Sequence, residues 1–251
     1  MSARLAALAL LIAAAPAAQS AQPAPTVEAI IEKCLAAQGG RQALQKLTSQ
    51  RATWTVTYPS PKGDTIATME TLAQVPNKSY SVMRMDMSAS GRGTDVVEEW
   101  FDGTSGYSRD KVNGTIPIAG TRLENMRNTI FPSELLDYKA RGTRIFYAGQ
   151  ETVAGRGAFL LVIRPAAGPA QKLWIDATTY LEIRKSVTVE MPRLGNLEQT
   201  ADLADYRVVD GVKMPFLLKG TSGTQSWTAV VTKVEHNVPI DPKVFVKPAG
   251  K

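Results

Sequence analysis

Residues 50–58 read QRATWTVTY, and the reading of this stretch decides the fold. Trp54, Val56 and Tyr58 alternate with Thr53, Thr55 and Thr57, so an extended chain puts large apolar groups on one face and hydroxyls on the other. A period of two in β-branched and aromatic residues marks a half-buried strand. The next six residues, PSPKGD at 59–64, turn the chain, and a second strand is expected over 65–75. The turn at Pro76, Asn77 and Lys78 leads to a third strand over 82–87, and a loop over 88–93 leads to a fourth over 96–101. Asp102-Gly103 turns towards a fifth at Tyr107.

Further strands are expected over 144–148, 158–164, 171–176, 181–191, 199–209, 214–219 and 226–234. Short turns between strands at this spacing specify an antiparallel meander. Eleven to twelve strands exceed what a flat twisted sheet holds, so the sheet is expected to curl. The fold class is therefore mainly β with a few α-helices.

Two segments break the strand pattern. Thr26 can cap a helix, after which Val27, Ile30, Ile31, Cys34 and Leu35 recur at helical spacing until Gly39-Gly40 stops it. A second short helix follows over 41–47, so 26–47 is helical overall. The other break, 121–139, carries Leu123, Met126, Ile130, Phe131, Leu135 and Leu136, with Ser133 placed to cap a second helix. This insert is expected to be a helical lid, because its apolar face needs a partner and the concave sheet is the one large surface available. The tail from Pro239 to Lys251 is Pro-rich and expected to pack loosely.

Ahead of all this stands MSARLAALALLIAAAPAAQS, residues 1–20. Arg4 forms a positive start, Leu5 to Ala15 an apolar stretch too short to span a bilayer, and Pro16 with small residues a cleavage region. The reading is a signal peptide cut near Ser20, leaving 21–251 as a single periplasmic domain. No Cys follows the apolar stretch, so a lipid anchor is not expected. The chain carries 29 Lys and Arg against 23 Asp and Glu, and the basic residues are scattered, which argues against a nucleic-acid partner. The single Cys cannot form an internal disulfide, and Cys34 reads as a small buried hydrophobe.

The succession of elements resembles the LolA/LolB-like outer-membrane lipoprotein-sorting superfamily. The resemblance rests on AAQGGRQAL at the end of the first helix, the turn QVPNKSY, the hairpin EEWFDGTSGY and the segment LWIDATTYLEIRK. The last motifs are LADYRVVDGVKMPF and VEHNVPIDPKVFVKP. It covers nearly the whole chain after the leader, and is nearer to another bacterial branch than to the lipoprotein carriers proper. No residue here is assigned to those carriers' functional arginine. The resemblance implies a curved half-barrel whose helices cover a cavity for lipid or for the acyl chains of a lipoprotein.

Candidate site residues follow from the residues themselves. Met83, Met85 and Met87 fall on one face of the third strand, and flexible, polarisable thioethers suit a cavity that accepts chains of varied shape. Together with Leu123, Met126, Ile130, Phe131, Leu135 and Leu136 they form the expected ligand cavity. Met191, Arg193, Leu194 and Leu197 place large apolar groups and one cation at a hairpin tip, which suits a transient contact with a membrane or an envelope protein.

Catalytic vocabulary is sparse. Ser108-Arg-Asp-Lys111 matches Ser-x-x-Lys but sits in a hairpin without its companion motifs. Glu98 and Glu99 point to opposite faces of a strand, and His236 stands alone at a strand end. No metal or cofactor is expected, since no set of His, Cys and carboxylates converges. The expected function is a non-enzymatic binding or carrier protein for an apolar ligand; the alternative is an envelope sensor or protein-interaction module on the same fold.

Overall fold

A computed structural model describes residues 25–88, 91, 93–191 and 194–247 of the chain. The leader read at 1–20 and Arg193 at the hairpin tip lie outside the described residues. The first half of the sheet comprises β1 (Ser49–Tyr58), β2 (Thr65–Gln74), β3 (Lys78–Asp86), β4 (Thr94–Phe101), β5 (Gly106–Asp110) and β6 (Gly114–Ile118). The second comprises β7 (Arg144–Val153), β8 (Arg156–Arg164), β9 (Gln171–Asp176), β10 (Glu182–Met191), β11 (Gly195–Val209), β12 (Val212–Ser222) and β13 (Gln225–His236). All belong to one antiparallel sheet in the order β6-β5-β4-β3-β2-β1-β13-β12-β11-β10-β9-β8-β7. Every pair of neighbours is consecutive in the chain except β1 and β13.

Thirteen strands are one more than the sequence pattern supplies. The extra one, β6, reads GTIPI, and Pro117 with a largely exposed run hides its strand character. A proline that cannot donate to the ladder suits an edge strand, and β6 is an edge. The other edge is β7, so the sheet is an open half-barrel. Its curl is visible in one cavity lined by both Met83 of β3 and Val189 of β10. Those strands are six places apart, or about 29 Å across a flat sheet, so only a curled sheet brings them together.

Helix α1 (Val27–Ala37) starts at Thr26, whose hydroxyl accepts from the Ala29 amide at 3.2 Å. It buries Ile30, Ile31, Cys34 and Leu35 on the concave face. The short helix α2 (Arg41–Gln45) follows with Leu44 buried. Gly39 between them has φ +119°, and a Cβ there would lie 2.3 Å from the Gly211 carbonyl oxygen in the β11–β12 turn. The adjacent Lys213 amide donates to the Gln38 carbonyl at 2.8 Å. Glycine at 39 thus lets the helix end abut the hairpin.

Helix α3 (Gly120–Asn128) forms where the insert is expected to be helical, but the second helix from Ser133 does not. Residues 129–137 turn instead, and a short 3-10 helix spans Tyr138–Arg141. Pro132 biases the preceding residue away from helical geometry, and Asp137 has a left-handed φ of +47°. The C-terminal tail also departs from expectation. Asp241 caps a 3-10 turn, Pro242–Phe245, which packs Phe245 at 1% exposure beside β3 and β4. One apolar anchor holds the described part of the tail, which ends at Lys247; the rest of the expected loose stretch lies outside the described residues.

Candidate functional site

The concave face is filled at one end and hollow at the other. At the filled end, Ile30, Ile31, Cys34, Leu35, Leu44 and Leu47 pack with Leu135, Leu136 and Tyr138 against Phe159, Leu161, Ile163, Leu173 and Ile175 of β8 and β9. Leu135 is fully buried and Phe131 packs at the edge of the cluster. Burial pushes the Cys34 thiol well above its ordinary range, with Glu182 and Glu134 adding to it, so it is held as an inert thiol.

At the hollow end lies a cavity of about 480 Å³. Its apolar floor comes from Val56 of β1, Met69 of β2, Met83 of β3, and Trp227 and Ala229 of β13, all facing inward because paired residues share a face. Val189 closes it from β10, and Gln199, Ser222 and Gln225 add neutral polar groups from β11 to β13. Glu190 at the rim is exposed. Tyr58 donates to the Met83 thioether at 3.7 Å, and its phenol is raised by burial. Trp227 lies over Gly220, its cross-strand partner: a Cβ on Gly220 would meet the indole at 2.1 Å.

Helix α3 runs across the concave face as a strap. Arg122 pairs with Glu99 of β4 and donates to Ser108 of β5 at 3.3 Å. The Asn125 side-chain amide donates to the Thr188 carbonyl of β10 at 2.7 Å. Arg127 donates to the Thr104 carbonyl in the β4–β5 turn at 3.0 Å, and Asn128 to the Ala167 carbonyl beyond β8 at 2.9 Å. No residue of α3 is fully buried. Polar side chains therefore hold the strap to both arms of the sheet, and little hydrophobic burial opposes its opening.

Beside the strap, residues 129–134 border a second, smaller cavity of about 200 Å³. Gln38 donates to Glu182 at 2.9 Å and Lys185 to Glu134 at 2.8 Å, while the Tyr206 hydroxyl donates to the Glu182 carbonyl at 2.6 Å. Burial, followed by the neighbouring Glu134, holds the Glu182 carboxyl above its ordinary range. This cluster ties the end of α1 and the 129–134 turn to β10 and β11.

The residues singled out from the sequence thus divide into groups. Met83 lines the large cavity and Met85 packs on the same cluster, while Met87 lies just past the end of β3. Leu123 and Met126 are half-buried on α3, and Ile130 borders the smaller cavity. Leu135 and Leu136 are core residues beneath α1. Leu194 at the β10–β11 tip is 66% exposed, and Leu197 leans towards Gly223 of the next turn. Met191 closes β10. Glu98 and Glu99 do take opposite faces, with Arg109 and Arg122 respectively.

Sequence reasoning missed Met69, Val189, Gln199, Ser222, Gln225, Trp227 and Ala229. Their signal lay in strand register: each sits on an inward parity position, and parity becomes readable only once pairing is known. Gly220 carried a clue of its own, since a glycine inside a strand pattern marks close approach by another group.

No family model matches the chain, and no curated protein matches it in sequence. Among solved structures, a LolA superfamily protein from Nitrosomonas europaea is similar at TM-score 0.58 and 12% identity, over 89% of this chain and 99% of that one. A DUF1329 family protein from Desulfovibrio piger is similar at TM-score 0.57 and 14% identity, over 88% and 97%. A proposed outer membrane lipoprotein-sorting protein domain from Vibrio parahaemolyticus is similar at TM-score 0.56 and 12% identity, over 86% and 95%.

Proposed function

The chain has the fold of the LolA superfamily, and from that premise we propose that it is a periplasmic, non-enzymatic binding or carrier protein for an apolar ligand. The ligand is a lipid or the acyl chains of a lipoprotein. The observation that carries this reading is the hollow end of the half-barrel: an apolar cavity of about 480 Å³ whose rim residue Glu190 lies against the start of α3, a helix held through polar side chains. Burial of hydrocarbon there supplies about 0.8 kcal/mol per methylene. Such contacts discriminate poorly between chain lengths, which suits a broad range of ligands. Release requires the α3 strap to leave the sheet, or an acceptor that offers the chain an equal refuge.

Export rests on the leader at 1–20, read as a cleaved signal peptide that leaves an unanchored protein. Exposed Leu194 at the β10–β11 tip, on a strand pair that also lines the cavity, supports a transient contact with a membrane or envelope protein during transfer.

The test is native mass spectrometry with solvent extraction, on protein purified from the periplasm without detergent. A bound mass that is absent from a folded Met83→Asp variant is the expected result. A clean apo mass, with no uptake of added mono- or diacyl lipid, would overturn the carrier reading and favour the sensor or interaction module.

A further inference from the structure

The lining of the hollow end says more about its ligand than that it is apolar. Its floor is apolar throughout, built from Val56, Met69, Met83, Trp227 and Ala229. The polar lining is also one-sided in character. Gln199, Ser222 and Gln225 stand together on β11, β12 and the start of β13, and Glu190 stands at the end of β10.

Glu190 is the one carboxylate in this lining. It lies against the start of α3, where a Cβ on Gly120 would be 3.1 Å from its Oε2. Among the described residues no cation pairs with Glu190, and no Lys or Arg lines the cavity. A chain laid on Met69, Met83 and Trp227 therefore ends among two amides, a hydroxyl and an uncompensated carboxylate. Two amides and a hydroxyl can donate or accept, but the carboxylate only accepts. It rewards a head group that brings hydrogen-bond donors or positive charge, and repels a negative one.

We infer that the ligand is an amphiphile whose head group is donor-rich and uncharged or cationic, oriented with its head at Glu190. This rests on the carrier reading and narrows it: amphiphiles with an anionic head are the poor ligands.

The test compares three probes of one chain length at equal concentration, below their aggregation limits: monopalmitoylglycerol, hexadecylamine and palmitate. Occupancy is read by native mass spectrometry. Monopalmitoylglycerol and hexadecylamine are expected to bind at least about tenfold tighter than palmitate, the scale of one like-charge contact at an exposed rim. Glu190→Gln should bring palmitate to within about threefold of monopalmitoylglycerol, and Glu190→Lys should place palmitate first. Glu190 is exposed, so both variants keep the core intact. Palmitate binding as tightly as monopalmitoylglycerol to the native protein would overturn the inference and leave the carrier reading standing. If none of the three binds, the carrier reading falls with it.

Discussion

Replacing Gly220 by Ala adds one methyl group at the most confined point of the cavity floor. The new Cβ would stand 2.1 Å from Trp227 Cζ2 and 2.3 Å from Cε2, where ordinary contact begins at 3.4 Å. The indole must therefore move by about 1.3 Å or more, since packed interiors hold no slack of that size. The sheet lies beneath the ring, so the open direction is into the cavity that Trp227 lines. Overpacking of this kind costs about 1–3 kcal/mol. Removing a strand glycine returns about 0.5–1 kcal/mol through the unfolded chain. The net expectation is a destabilisation of about 0–2.5 kcal/mol, with a shift in tryptophan emission and a reduced uptake of lipid. Urea unfolding followed by fluorescence measures the first two. In a Trp227→Ala background the clash is gone, so Gly220→Ala becomes neutral or slightly stabilising, a coupling of about 1–3 kcal/mol across the double-mutant cycle. An equal cost in both backgrounds, or an unchanged emission spectrum, would refute the reasoning.

Leu135 and Leu123 come from one hydrophobic run but should behave oppositely: Leu135→Asp buries an unpaired carboxylate in a fully occupied core and should abolish cooperative unfolding. Leu123→Asp, on a helix with no buried residue, should unfold cooperatively within about 1 kcal/mol of native yet lose lipid retention; circular dichroism and lipid extraction separate the two. Arg122→Ala removes the strap's part-exposed ion pair with Glu99 and its hydrogen bond to buried Ser108, and should cost about 1 kcal/mol while hydrogen exchange in α3 and ligand off-rate rise several-fold. Unchanged exchange in α3 would show that the strap is held elsewhere. Glu182 has its carboxyl raised above the ordinary 4.5 by burial and by Glu134. The folded chain keeps that proton to higher pH than the unfolded one, so stability from this group falls as pH rises from the ordinary glutamate range through the raised value. Glu182→Gln still accepts from Gln38 and should gain on the native protein as pH rises above 4.5; urea midpoints that run parallel with pH would contradict the shift.

The strand pattern was legible because Thr-alternating stretches such as 53–58 state their own inward face. The same parity rule placed Met83 and Met85 on the concave side. Elements whose conformation is decided by a neighbour were not legible. Phe245 looks like part of a loose tail until β3 and β4 offer it a surface. Leu135 and Leu136 look helical because their spacing suits a helix, yet the turn at Pro132 and the left-handed Asp137 let them enter the core without one. β6 needed a partner strand to become a strand. The cavity itself joins β3 to β10, a proximity that follows from curvature and leaves no trace in local periodicity.

The single non-consecutive pairing in the sheet, β1 with β13, has a temporal consequence. As the chain emerges from its N-terminus, β1 to β6 can zip into one ladder and β7 to β12 into another, each by hairpin closure. The two ladders stay separate until the last strand arrives, because Gln50 must wait for His236. Closing so long a loop is slow relative to hairpin formation. The floor of the cavity, which draws Val56 from β1 and Ala229 from β13, is thus assembled last. A chain built this way stays open in the middle until its last strand is in place, and a cut before β13 would leave two half-sheets with no strand ladder between them.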